Sequence, residues 1–286
     1  MDVVGALCRK YGTDDPTALV LDLCGQLLAQ AGGGIPTPLD ELARLRGILW
    51  IDHEDMGPDT RWGEISRHQH PGGLAAALID HLGATKAVLD AGDPVERQRF
   101  SLAHEIVHTF FFEVLHEADE PASALLEELC DAGAAEFLMP AGIFGAELQS
   151  ATLSLGHLRA LATRFSATLQ ATSRRAMDLT EDQAAVWIVE RNRPGQLAPP
   201  DSPLLISRCY ASRSWPDVMA LQGSPIPGWW VAARAMNGQL DLGGTETIPG
   251  IGNVSVEAVG YRFQGGRLDG HARAIALVRR LRPTHE

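Results

Sequence analysis

Disulfide chemistry has little to work with in this chain. Its 286 residues hold four cysteines, Cys8, Cys24, Cys130 and Cys209, and no CxxC pair. That spacing excludes a disulfide scaffold or a zinc knot and predicts reduced, mostly buried thiols acting as small hydrophobes. Long apolar runs are also missing. The stretch Ala18–Ala31 is interrupted by Asp22 and Gln26, whereas a membrane span needs about 18 or more consecutive apolar residues. No apolar segment with a small-residue cleavage site follows Arg9 and Lys10, so the expectation is a cytoplasmic protein with no membrane partner. Positive charge is scarce: 24 Lys and Arg stand against 36 Asp and Glu, a net charge of −12. This excludes strong nonspecific attraction to nucleic acid for the chain as a whole. What is there is 45% hydrophobic and 21% charged, a globular composition with room for two domains or one large one.

The spacing of apolar residues predicts helices over Ala18–Ala31 and Leu39–Leu45, then a strand over Gly47–Ile51. Asp52–Gly63 reads as loop, Leu74–Leu82 fits either helix or strand, and Ala87–Leu89 reads as a short buried strand before the turn Asp90–Pro94. Longer helices follow from Val95 to about Val114 and from about Ala122 to Leu138, the second closed by Pro140. A helical stretch over Gly142–Leu148 leads into Ser154–Leu179, two short helices around a break at Ser166–Thr168. From Ala184 the pattern turns to β, with Val186, Ile188, Trp229, Val231 and Val254–Phe263 set between glycine and proline clusters. Arg193–Pro203, with four prolines, reads as a linker or long connection, and His271–Leu281 as a closing helix.

His104-Glu105-Ile106-Val107-His108 is an HExxH sequence inside a segment of helical spacing that has no glycine or proline from Val95 to Glu120. Residues four apart on a helix share a face, so the imidazoles of His104 and His108 can meet one Zn²⁺. Glu105 then stands beside the metal as general base for an attacking water. The residues after His108 are Thr-Phe-Phe-Phe, which excludes the HExxHxxGxxH arrangement and leaves the third ligand to another element. Candidates are His116, Glu117, Asp119, Glu120, Glu127, Glu128 and Asp131. Glu127 and Asp131 are four apart on the next helix, so one carboxylate can bind metal while the other accepts from the far nitrogen of a ligand histidine. Glu128 points elsewhere and reads as solvated, and His116 as a loop residue.

These two blocks, Glu96–His108 and Leu126–Pro140, resemble the ImmA/IrrE family of metallopeptidases, whose pattern is RxRFTLAHExxH followed by an acidic ligand on a helix ending in AAxLLMP. Aligned on Leu138-Met139-Pro140, the resemblance places the family's glutamate ligand on Glu127 and its Asn/Asp position on Asp131. Ser101 stands where the family has Thr, Asp131 where Asn is commoner, and Asp55–Leu82 is an added stretch. The whole-chain layout is most similar to the IrrE radiation-response members from deinococci. The resemblance implies an α+β chain: a helical zincin-like peptidase domain with a small sheet over 1–150, a helix-turn-helix-like segment over 151–182, and a GAF-like sensor domain over 183–286. It also implies a zinc endopeptidase, gluzincin-like, with Glu105 catalytic, metal on His104, His108 and Glu127, and Asp131 behind them. The partner implied is a helix-turn-helix repressor whose cleavage induces a stress or DNA-damage response. Mn²⁺ also suits imidazole and carboxylate ligands. No tyrosine near the motif is available to steady an oxyanion, which leaves substrate backbone or a histidine such as His70.

His157–Met177 carries Arg159, Arg164, Arg174 and Arg175 around the helix-turn-helix-like break. The rival function is therefore a DNA-binding transcriptional regulator with a non-catalytic metal site, although the acidic balance makes that DNA contact weak. A toxin–antitoxin accessory or phage-associated peptidase is a third reading. In the β-rich remainder, Trp187, Trp215, Trp229 and Trp230 are candidates for a ligand pocket or for core.

Overall fold

The computed structural model describes residues 2–55, 76–81, 84–117, 124–191, 202–236, 242–262 and 272–281. The fold is α+β, with one small sheet and one larger antiparallel sheet. Residue contacts divide the chain into two units, Met1–Ile143 with Ala162–Thr168, and Phe144–Leu161 with Leu169–Glu286.

In the first unit, α1 (Val3–Tyr11) starts where the Asp2 carboxylate accepts from the Gly5 amide at 2.7 Å, and ends at Gly12, whose φ of 70° a side chain would resist. Asp15 caps α2 (Pro16–Gln30) in the same way, with proline in its first turn. After α3 (Leu39–Leu45) come β1 (Ile48–Glu54), β2 (Ala76–His81) and β3 (Ala84–Asp90). Their order is β1-β3-β2, with β1 parallel and β2 antiparallel to the central β3. The ambiguous stretch 74–82 is thus a strand over Ala76–His81, and the flanking residues 56–75 and 82–83 lie outside the described residues.

Pro94 precedes α4 (Val95–Phe111), which buries Leu102, Ala103, Ile106, Val107, Phe110 and Phe111. A 3-10 turn continues it over Phe112–Glu117. α5 (Ala124–Leu138) packs along α4 and buries Leu126, Leu129, Cys130, Gly133, Ala134 and Phe137. Pro140 then separates it from α6 (Ala141–Gln149), whose first amide is accepted by the Glu136 carboxylate at 3.0 Å. α7 (Leu155–Phe165) and α8 (Leu169–Leu179) flank Ser166, a non-glycine residue at φ 48°, so the break expected at Ser166–Thr168 is present.

The second unit is built on a five-stranded antiparallel sheet of order β5-β4-β8-β7-β6. Its strands are β4 (Ala184–Glu190), β5 (Leu205–Ala211), β6 (Leu242–Ile248), β7 (Gly252–Arg262) and β8 (Ala272–Arg280). The proline-rich stretch after β4 joins two neighbouring strands of this one sheet, and its residues 192–201 lie outside the described set. Two expectations fail here. The stretch His271–Leu281 is not a helix: β8 runs through it between β4 and β7, and Ala274–Val278 are all buried. A strand covered on both faces loses its alternation, and a run of apolar residues then mimics helical spacing. Conversely, Val231 starts a short helix, α9 (Val231–Met236), instead of a strand. A Cβ at Gly260 on β7 would collide with the Ala235 carbonyl, so glycine there lets α9 lie directly on the sheet.

Candidate metal centre

α4 presents His104 and His108 on one face, one helical turn apart, as the apolar spacing around them requires. Their Nε2 atoms are 3.1 Å apart. α5 brings Glu127 over both rings, with Oε2 3.2 Å from His104 Nε2 and Oε1 3.6 Å from His108 Nε2. Four residues on, Asp131 Oδ1 lies 3.0 Å from His104 Nδ1 and fixes the ring from behind. The imidazoles are recessed, at 16% and 21% side-chain exposure, while Glu127 at 46% keeps a solvent-facing side. The pocket of donors is therefore open on the carboxylate side. Glu128 is exposed. Asp119, Glu120 and His70 lie outside the described residues, as do the side chains of His116 and Glu117.

Burial works against a charged His104 ring, but hydrogen bonds to Asp131 and Glu127, with the charges of Glu105 and Asp131, lift it to about 9. Burial pushes the Glu105 carboxyl up to about 7, with Glu127 adding to the rise and His104 opposing it. Burial likewise pushes the Cys130 thiol up. Two imidazole nitrogens and a carboxylate converging this closely can hold one cation, since deprotonated imidazole nitrogens and a carboxylate all offer lone pairs. Nitrogen and oxygen donors of this kind fit Zn²⁺, and the carboxylate also suits Mn²⁺. The histidines share a second grouping: Cys130 Sγ and one nitrogen from each ring lie within 4.8 Å of one another.

Several residues that shape this centre carry no motif. A Cβ at Gly133 would come within 2.6 Å of Val107 Cγ2 and 3.2 Å of Cys24 Sγ, so α5 can approach α4 only because residue 133 has no side chain. Thr37, 1% exposed, ties the two helices together: its Oγ1 donates to the Phe137 carbonyl at 2.6 Å, and its own carbonyl accepts from Arg99 Nη2 at 3.0 Å. Arg46 holds the end of α4 just past His108, donating to Thr109 Oγ1 at 2.9 Å and to its carbonyl at 2.8 Å, over the Phe110 ring. The one signal available in sequence was the glycine inside an otherwise helical run.

Residues 87–177 match the family model of the IrrE N-terminal-like domain, a peptidase family. This match runs from within β3 into α8, less than half of the chain, and is a likeness to the ImmA/IrrE kind of metallopeptidase. Among solved structures, a Mycobacterium tuberculosis transcriptional regulator is similar at 14% identity with a TM-score of 0.61, over 91% of this chain and 76% of that one. At that identity the likeness is one of fold. No curated protein matches the chain. Among the described residues, no helix is long and apolar enough to cross a membrane.

Proposed function

We propose that the chain is a metal-dependent endopeptidase, with zinc as its ion, that cleaves a helix-turn-helix transcriptional repressor and so induces a stress response of the DNA-damage kind. The observation that carries the reading is the convergence of His104, His108 and Glu127 with Glu105 alongside. In this reading the first unit is a zincin-like peptidase domain and the sheet of the second is a GAF-like sensor. His104, His108 and Glu127 hold the ion, and Asp131 keeps His104 in the tautomer that leaves Nε2 free. A Zn²⁺ bound there supplies Lewis acidity to water and to the scissile carbonyl. Glu105, poised near neutrality, takes a proton from the attacking water and returns it to the leaving amine. Metal content and cleavage of a co-encoded repressor, measured for the wild type and Glu105→Ala, test the proposal. Loss of cleavage at full metal occupancy is expected, and retained cleavage in the variant overturns it.

A second reading, a DNA-binding regulator acting through residues 157–177, draws on α7 and α8 around Ser166 and on the similarly folded protein named a transcriptional regulator. Specific binding of operator DNA by the metal-free chain, together with absence of cleavage by the metal-loaded chain, would favour it.

A further inference from the structure

One donor at the centre is used neither by the HExxH motif nor by the proposed reaction. Cys130 lies three residues beyond Glu127 and one before Asp131, so positions 127, 130 and 131 share the face of α5 that looks at α4. The side chain is 0% exposed. Its Sγ and a nitrogen of each histidine ring lie within 4.8 Å of one another. Among the described residues the thiol has no hydrogen-bond partner, and the charged groups around it are Glu127, Glu105 and Asp131. Cys24 is a useful contrast: also buried, it points its Sγ at the Gly133 carbonyl, 3.8 Å away. A structural cysteine of that kind sits beside the helix pair. Cys130 instead places its Sγ within 4.8 Å of a nitrogen of each ring.

We propose that Cys130 supplies a sulfur ligand to the ion held by His104 and His108, so that the resting centre has four protein donors, two imidazoles, the Glu127 carboxylate and the Cys130 sulfur. The inference rests on the reading of this cluster as a metal centre. On binding, the S–H bond is replaced by a sulfur–metal bond, and the proton leaves to solvent. Sulfur selects thiophilic ions, so the site prefers Zn²⁺ and Co²⁺ to Mn²⁺ and Mg²⁺. Four protein donors also close a site of this kind, whereas three leave a position for water. Cys130 therefore sets the affinity of the resting state, and its release opens the centre.

Cobalt(II) titration of the full chain, followed by absorption, separates the two claims. The wild type and Cys24→Ser are expected to show visible ligand-field bands together with a near-ultraviolet sulfur-to-cobalt charge-transfer band. Cys130→Ser is expected to keep the visible bands, lose the near-ultraviolet band and bind Co²⁺ at least about tenfold more weakly. His104→Ala is expected to lose both. Circular dichroism checks the fold of each variant, and Cys130→Ala is the second variant to be read if the serine perturbs the helix pair. A wild type with visible bands and no charge-transfer band overturns the sulfur ligand and leaves the metal centre standing, as does a band that survives in Cys130→Ser. A wild type that binds no Co²⁺ overturns both.

Discussion

Gly133 sets how closely the two helices of the candidate centre can approach. A methyl group there meets Val107, next to His108, and the Cys24 sulfur at once. Gly133→Ala is expected to cost about 1–3 kcal/mol by overpacking, despite the better helix propensity of alanine, and to weaken metal binding by moving Glu127 and Asp131 off the imidazoles. Chemical denaturation with and without Zn²⁺ reads both effects, and an unchanged metal affinity would contradict this role for the glycine. Asp131 acts one layer behind. Asp131→Ala removes the acceptor at 3.0 Å from His104 Nδ1 and is expected to lower metal affinity by about 10–100-fold. Asp131→Asn keeps a carbonyl acceptor and is expected to lose much less, a difference that calorimetric titration resolves. The pair Glu127 and Asp131 was legible in the sequence because helical spacing alone puts them on one face. Gly133 and Thr37 were not, since their importance lies in contacts with residues up to 109 positions away.

Between elements, buried polar groups tie helices to what lies beside them. Thr37 serves α4 and α5 together, and Thr37→Val is expected to leave the Phe137 carbonyl without its side-chain donor at a cost of about 1–3 kcal/mol. Thermal unfolding monitored by circular dichroism checks it. In the second unit the Glu246 carboxylate, 6% exposed, accepts from the Val231 amide at the start of α9, while its other oxygen has no partner. Burial raises this carboxyl above the usual range and the Val231 amide pulls it down, with burial the larger effect. A raised folded pKa favours the protonated form, so this contribution to stability is present below the unfolded pKa and lost as pH rises through the folded one. Glu246→Gln keeps an acceptor without the charge. It is expected to stabilise the protein at neutral pH, with the gain vanishing in acid where the native carboxyl is protonated in both states. Denaturant melts across pH decide the matter, and a gain that persists in acid would rule out the charge as its cause. Element type was readable where one face is wet, as in α4, and failed in β8, where the side chains from Ala274 to Val278 are buried on both faces.

For the whole molecule, an ion bound by the native state and not by the unfolded chain stabilises it by mass action, by about 4 kcal/mol at a thousandfold excess over the dissociation constant. Chelation is therefore expected to lower the melting temperature of the wild type, and added Zn²⁺ to restore it. In Glu127→Ala the shift should be clearly smaller, because one donor that spans both rings is gone. Calorimetry of the full chain compares the two, and an equal shift in both would remove Glu127 from the ligand set. By itself the amino-acid order determined which residues can act, since a helix places positions 104 and 108, and likewise 127 and 131, on one side through a 3.6-residue turn that needs no tertiary context. Only the tertiary structure decided that those two faces meet, how closely Gly133 lets them approach, that the Cys130 sulfur comes within 4.8 Å of both rings, and that residues 272–280 are strand. Each of these depends on what another part of the chain places alongside, and local periodicity carries no record of that.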